Sequence, residues 1–133
     1  MKEESQCLRI GILGCGPIAQ FAHFDACRKG RNTELYAICD VADDLRCKMA
    51  VMWEPKAVYA NYDEMLAHPD IDAVAVVLRV PSHYAPTMAA LNAGKHVYTE
   101  WPLGQTTSEA QEMADLAREK GVKTMVGLQA RSS

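Results

Sequence analysis

A glycine-rich loop between an apolar run and a helical pattern is the feature that most constrains this chain. Residues 8–13 are Leu-Arg-Ile-Gly-Ile-Leu, and the loop Gly14-Cys15-Gly16-Pro17-Ile18-Ala19 follows directly. The apolar run predicts a buried strand, and the residues from Ile18 to Lys29 predict a helix that ends at Gly30. Small residues at the first, third and sixth loop positions permit a tight turn into a helix that packs closely on the strand.

Five more apolar runs alternate with helical patterns along the chain. The further predicted strands cover residues 34–40, 57–59, 72–78, 96–100 and 124–128, with helices over 43–52, 61–69, 83–93 and 106–120 between them. This alternation predicts an α/β fold with a doubly wound parallel sheet, the Rossmann fold, in strand order 3-2-1-4-5-6. We expect residues 1–133 to form one such domain, with its ligand at the sheet edge beside the first strand.

Local signals predict where several helices begin. Asp43 or Asp44 is the predicted N-cap of the second helix. Asn61 with Glu64 three residues later matches a capping box, and Thr106 begins the last helix in the same way.

Composition excludes several classes of function. The 133 residues include 14 basic and 17 acidic ones, without the Lys/Arg cluster that binds nucleic acid. No apolar run approaches the roughly 20 residues that span a bilayer, and the polar start from Met1 to Cys7 differs from a signal peptide. Five cysteines without a Cys-x-x-Cys pair indicate reduced thiols in a cytoplasmic protein. For Cys15, a redox role is the alternative to a small packed side chain. No spacing resembles a metal site, so we expect no metal.

The loop has the chemistry of a dinucleotide-binding turn. Gly14 permits the turn, Gly16 lets the main chain approach a pyrophosphate, and the free N–H groups after Pro17 face its charges. Asp40 ends the second predicted strand, roughly 20 residues after the loop, where a carboxylate accepts hydrogen bonds from a ribose diol. It would repel a 2′-phosphate, so NAD is favoured over NADP. The alternatives are a glycine turn without a ligand and a solvated carboxylate at Asp40.

Further motifs lie along the chain: Asp-Ala-Val at 72–74, Ala-Gly-Lys-His-Val at 93–97 and Glu-x-Pro-Leu at 100–103. With the glycine loop and Asp40 they resemble the N-terminal domain of the Gfo/Idh/MocA oxidoreductases, over about Leu8 to Arg131. The resemblance implies a nicotinamide cofactor and hydride transfer to or from a sugar or polyol-like substrate. In that family a C-terminal α/β domain supplies most substrate contacts and the oligomer interface, and the 133 residues do not include it.

One departure from the family pattern concerns catalysis. Members typically have Glu-Lys-Pro, and the resemblance implies that this lysine lies beside the nicotinamide and assists proton transfer. This chain has Glu100-Trp101-Pro102 instead. An indole has no proton to exchange at neutral pH, so that role does not pass to Trp101. We predict that Trp101 stacks on the ribose or nicotinamide or walls the pocket, the alternative being a packed loop residue. The catalytic residue is left unassigned.

A second departure follows the fourth predicted strand, where members often have Thr-Pro-Asn. Here the residues are Leu78-Arg79-Val80, and His83 matches the family's histidine, which makes it a candidate for catalysis. Arg79 could reach a phosphate or an anionic substrate, or remain solvated. The predicted cofactor-binding residues are Gly14, Gly16, Pro17, Ile18, Asp40, Leu78, Arg79, Val80, His83, Glu100, Trp101 and Gln129.

Three functions are open at this point. The first is the cofactor-binding part of an oxidoreductase. The second is an NAD-binding sensor without turnover, because residues 80–84 and Glu-Trp-Pro are similar to a family branch that includes the fungal galactose-regulon repressor. The third is a stand-alone domain that self-associates through apolar surface. The expected partners are a dinucleotide, a small sugar-like molecule and a possible second copy. His23 and His68 have no sequence neighbours that suggest a metal site, so we expect them to be structural or exposed.

Overall fold

The computed structural model describes residues Cys7–Gly127, in which six parallel strands form one sheet. The strands are β1 (Leu8–Leu13), β2 (Thr33–Cys39), β3 (Ala57–Tyr59), β4 (Ala73–Val76), β5 (His96–Glu100) and β6 (Thr124–Gly127). The α-helices of this part of the chain are α1 (Phe24–Lys29), α2 (Asp43–Trp53), α3 (Tyr62–Leu66), α4 (Tyr84–Asn92) and α5 (Thr107–Lys120). A wide helical turn, Ala19–His23, leads into α1, and a 3₁₀ turn, Val80–Ser82, precedes α4. The sheet order β3-β2-β1-β4-β5-β6 confirms the predicted doubly wound Rossmann fold.

Alternate residues of the central strands face two separate cores, because successive side chains of a strand point to opposite faces. Ile12 packs with Phe24 of α1 and Met49 of α2. The next residue, Leu13, packs on the other face with Leu91 of α4. The same division holds along β2 and β4. Both faces of the sheet are therefore covered, which explains why these strands are consecutive apolar runs.

Two predicted helix caps are confirmed. Asn61 Oδ1 accepts hydrogen bonds from the amides of Asp63 at 2.7 Å and Glu64 at 3.4 Å, at the start of α3. Thr106 Oγ1 accepts from the amide of Glu109 at 3.1 Å, at the start of α5. These side chains satisfy amides that the helices cannot bond internally.

The predicted cap of α2 is wrong. The residue before the helix is Ala42, and no side chain caps it. Asp43 and Asp44 lie within the first turn instead. The Asp43 carboxylate accepts a hydrogen bond from Arg46 Nη2 at 2.7 Å, one turn further along. Acidic residues in the first turn still stabilise the helix, because they face the positive end of its dipole.

Three of the five cysteines are buried in the two cores. Burial is the main cause that raises the pKa of Cys15 to about 12 and the pKa values of Cys27 and Cys39 to about 11. A thiolate at these positions loses its hydration, so the thiols stay protonated. For Cys15 the structure favours the small packed side chain over a redox role.

The exposure of the thiols is testable. Cys7 and Cys47 are exposed, and we expect only these two to react rapidly with Ellman's reagent in the folded chain at about pH 8. All five should react in denaturant. A third fast-reacting thiol in the folded chain would contradict the burial described above.

Candidate functional site

A cleft opens at the carboxyl edge of the sheet, where the chain leaves the neighbouring strands β1 and β4. Gly14 follows β1 with φ of 108°, and a Cβ at this position would overlap the carbonyl oxygen of Val77. Neither the conformation nor the space suits another residue. The Gly14 amide donates a hydrogen bond to the carbonyl of Cys39 at 2.8 Å. The loop is thus tied to the ends of β4 and β2 and passes along the cleft.

The start of the following helix leaves main-chain donors unpaired. Helical structure begins at Pro17, and the first helical hydrogen bond runs from the Gln20 amide to the Gly16 carbonyl at 3.0 Å. The amides of Gly16, Ile18 and Ala19 therefore have no partner within the helix. A Cβ on Gly16 would meet no atom within 4 Å, so the space above it is open. Open space beside free amides at a helix start suits an anion such as a phosphate.

Asp40 lies at the end of β2 and faces the loop. Its Oδ2 accepts a hydrogen bond from the Cys15 amide at 2.8 Å, and its Oδ1 accepts one from the Ala42 amide at 2.9 Å. Each oxygen keeps a further lone pair for a ligand hydroxyl. Arg46 braces the same turn, because Nη1 donates to the Asp40 carbonyl at 2.8 Å while Nη2 binds Asp43.

The cleft has a volume of about 680 Å³, and an apolar pocket of about 360 Å³ adjoins it. The cleft brings together predicted site residues from four segments of the chain: Gly14, Gly16, Pro17, Ile18, Asp40, Leu78, Arg79, Val80, Glu100 and Trp101. Asp40 also lines the apolar pocket, together with Val41, Ala60 and Tyr62.

A larger cavity, about 870 Å³, lies at the opposite edge of the sheet, beside the start of β1. Its charged groups already bond to protein atoms. Arg9 pairs with Asp72 at 3.2 Å, and Lys95 Nζ donates to the carbonyls of His68 at 2.8 Å and Ile71 at 2.7 Å. These bonds join strand starts to one another, so we assign the site to the smaller cleft with its unpaired amides.

The far end of the cleft is built from two loops. Leu78 and Val80 are half-buried in its wall, and Arg79 between them is exposed. From the other loop, Trp101 is 64% exposed and also lines the cleft. Its indole is free to stack on a ligand, and the Arg79 guanidinium is free to turn towards an anionic group.

His83 lies behind the cleft wall and is fully buried. Its Nε2 is 2.6 Å from the carbonyl of Leu78, and its Nδ1 is 2.9 Å from that of Pro102 and 3.2 Å from that of Leu103. The ring thus joins the two loops that form the far end of the cleft. In this position it reaches neither the cleft nor a ligand there.

The structure shows one cluster that the sequence did not indicate. His23 Nε2 is 2.5 Å from Glu100 Oε2, and Tyr98 packs against the His23 ring. The two paired residues are 77 positions apart, so no local pattern could reveal their contact. Gln129, the remaining predicted site residue, lies outside the described residues.

Among residues 7–127, no group of three or more His, Cys, Asp or Glu side chains is placed to hold a metal ion. Within the same range, no helix has both the length and the apolar character needed to cross a membrane.

Comparison with known proteins identifies the family of this chain. The sequence profile described as an oxidoreductase family with an NAD-binding Rossmann fold, Gfo/Idh/MocA, matches residues 8–128. A dTDP-3,4-didehydro-2,6-dideoxy-α-D-glucose 3-reductase from Streptomyces violaceoruber is 35% identical over 120 residues, which is 90% of this chain and 35% of that protein. The chain spans roughly a third of the length of the curated relatives that it matches.

Among solved structures of similar proteins, one contains NAD(H) and another contains NADP. Scyllo-inositol dehydrogenase from Lactobacillus casei, with bound NAD(H) and scyllo-inositol, aligns with a TM-score of 0.88 at 26% identity, over 96% of this chain and 38% of that one. KijD10, a 3-ketoreductase from Actinomadura kijaniata in complex with NADP, aligns with a TM-score of 0.85 at 31% identity, over 91% and 38%. The comparisons give no evidence for the repressor-like branch. By profile, identity and fold, this chain belongs to the Gfo/Idh/MocA oxidoreductases and is an NAD(P)-binding Rossmann domain of that family.

Proposed function

We propose that this domain holds NAD for an oxidoreductase that transfers hydride between the nicotinamide and a sugar or polyol-like substrate. The observation that carries the proposal is the cleft itself, where unpaired amides at Gly16 and Ile18 lie next to open space and the Asp40 carboxylate lies at one end. The amides suit a pyrophosphate and the carboxylate suits a ribose diol, the two groups that a dinucleotide presents side by side.

The cofactor preference follows from charge at the ribose end. A 2′-phosphate would lie against the negative Asp40, and the next residue, Val41, is exposed and uncharged. Arg46 is close in sequence, but its guanidinium already bonds to the Asp40 carbonyl and to Asp43. At this turn a 2′-phosphate would be repelled by Asp40 and would meet no free cation. The turn therefore favours NAD over NADP.

At the nicotinamide end, we assign the chain's own residues to positioning the cofactor and substrate and not to the chemical step. The bound cofactor supplies the hydride chemistry. Trp101 walls the ring, and Arg79 provides donors for a phosphate or an anionic group of the substrate. The buried His83 joins the loops that carry these two residues, so we assign it a positioning role instead of a catalytic one.

The substrate class is inferred from the relatives. One reduces a dTDP-linked keto sugar, and another is solved with scyllo-inositol. We propose that a second domain of the family type completes the substrate pocket and mediates oligomer formation, and that the protein acts in the cytoplasm on a polyhydroxylated small molecule. Neither nucleic acid nor a membrane is part of this proposal.

Trp101 favours a second candidate function, an NAD-binding sensor without turnover. The residue occupies the family's lysine position, as in the repressor-like branch proposed from sequence, and its indole transfers no proton at neutral pH. NADH formation with a panel of inositols and sugars decides between the two functions. We expect the longest natural polypeptide carrying this domain to form NADH. Tight NAD binding without turnover on any of these substrates would favour the sensor.

The two loop glycines provide a matched pair of variants. Gly16→Val should abolish NAD binding in calorimetry, because the valine side chain enters open space that the pyrophosphate needs. The free energy of unfolding should change by less than about 0.5 kcal/mol. Gly14→Ala should instead lose about 2–4 kcal/mol of stability, through strain and overlap with the Val77 carbonyl.

This pair separates the site from the fold. Retained NAD affinity in a folded Gly16→Val variant would overturn the assignment of the loop as the phosphate site. An equally large loss of stability in both variants would show instead that Gly16 is needed for folding.

The ribose end is tested by Asp40→Asn, with Asp44→Asn as the control. Asparagine keeps an acceptor for one of the two loop amides but removes the charge. We expect NAD affinity to fall by about 1–3 kcal/mol, roughly 5- to 150-fold, and the preference for NAD over NADP to shrink. Calorimetry with both cofactors measures the ratio. Asp44→Asn removes an exposed carboxylate in the first turn of α2 and leaves the Asp43–Arg46 pair intact, so an equal effect there would count against a ribose contact at Asp40.

A further inference from the structure

A polar cluster of His23, Tyr98 and Glu100 lies next to the cleft, and nothing in the proposed chemistry uses it. His23 Nε2 is 2.5 Å from Glu100 Oε2, and the His23 and Tyr98 rings meet edge to face with centroids 5.2 Å apart. The side chains of His23 and Glu100 are 16% and 13% exposed. A carboxylate with so little access to water depends on donors from the protein, and His23 supplies a short one.

Tyr98 faces Glu100 from two residues earlier on the same strand. Burial raises the pKa of Tyr98, and both the negative charge of Glu100 and a hydrogen bond to it raise the pKa further. The phenol therefore stays protonated and donates to the carboxylate. Gly127 pairs with Glu100 in the sheet, and a Cβ there would overlap the Tyr98 hydroxyl. Three elements thus hold the cluster: the helical turn after the loop, β5 and β6.

The cluster connects the two ends of the cleft. His23 is the last residue of the turn Ala19–His23, which continues directly from the amides of Gly16 and Ile18 at the phosphate end. Glu100 is the last residue of β5 and is bonded to Trp101 at the other end. The hydrogen bond between His23 and Glu100 thus links the turn at the phosphate end to the strand that leads into Trp101.

We propose that His23 is a positioning residue for the nicotinamide end of the site. The proposal rests on the proposed function, in that a dinucleotide occupies the cleft. His23 holds Glu100, and Glu100 fixes the backbone from which Trp101 projects. His23 does not itself line the cleft. Loss of His23 should therefore weaken binding of the part of the ligand that Trp101 contacts. Binding of the adenosine and pyrophosphate should be unchanged.

The test compares NAD with ADP-ribose, which keeps the adenosine and both phosphates but lacks the nicotinamide. The variants are His23→Leu, which removes the donor, and His23→Gln, which keeps one at a similar position. His68→Leu is the matched control, because the His68 ring meets Tyr36 at 5.3 Å and 64°, nearly the geometry of His23 with Tyr98. Calorimetry of the whole chain gives both affinities.

We expect His23→Leu to lower NAD affinity about tenfold, the effect of one lost charge-assisted hydrogen bond. ADP-ribose affinity should stay within about twofold, since its contacts lie away from the change. His23→Gln should recover most of the NAD affinity, and His68→Leu should alter neither ligand. Equal losses for NAD and ADP-ribose, or no loss for either, would overturn the positioning role.

The proposed function is tested separately by the unaltered chain. If ADP-ribose does not bind it, the dinucleotide assignment fails before His23 is tested. Should His23→Leu not fold, the ratio of NAD affinity to ADP-ribose affinity is measured for Tyr98→Phe instead. This variant removes one donor to Glu100 and keeps the aromatic ring. A selective loss of NAD supports the proposal, and a parallel loss of both ligands overturns it.

A spectroscopic measurement reports on Trp101 directly. In a Trp53→Phe background, Trp101 is the one remaining tryptophan of the sequence. We expect His23→Leu to shift its emission and to reduce its quenching by NADH, while His68→Leu leaves both unchanged. An unaltered Trp101 signal in folded His23→Leu would show that the cluster does not act through this loop.

Discussion

The close contact between Gly14 and the Val77 carbonyl determines the shape of the cleft. Only a residue without a Cβ can turn here, and the turn brings the end of β1 against the end of β4. The Gly14 amide bonds to Cys39 on β2, and the Cys15 amide bonds to Asp40. Neighbouring strands thus fix the loop before any ligand binds. Its free amides are held in place, and little ordering entropy opposes phosphate binding.

Asp40 shows how structural and binding roles can coincide in one side chain. The motif predicts a carboxylate for the ribose, and the structure places it beside the cleft and the apolar pocket. The same two oxygens accept amides of Cys15 and Ala42, so an acid at this position already stabilises the empty loop. A ligand uses only the remaining lone pairs. The motif predicts an acid here for binding, and the structure shows that the same acid also stabilises the loop.

Local patterns predicted most of the fold, because each depends on residues close together in the chain. Alternating apolar runs gave the strand order, and Asn61 capped its helix through amides two and three residues away. Contacts across the sheet had no such signal. The contacts of His83 with the carbonyls of Pro102 and Leu103, and the pairing of His23 with Glu100, arise only after β5 has been placed beside β4. The predicted N-cap of α2 was wrong for a local reason, because the Asp43 side chain bonds to Arg46 instead of a backbone amide.

We assign the charged side chains along the cleft to ligand binding and not to proton transfer. On the proposed function, Asp40 binds the adenosine end of the dinucleotide, away from a substrate beside the nicotinamide. Arg79 carries donors only, and the Glu100 side chain is largely buried against His23. With tryptophan at position 101, we assign no proton acceptor for a substrate hydroxyl among these side chains. On the proposed function, the acceptor therefore comes from the second domain, and this domain contributes the cofactor in a fixed orientation.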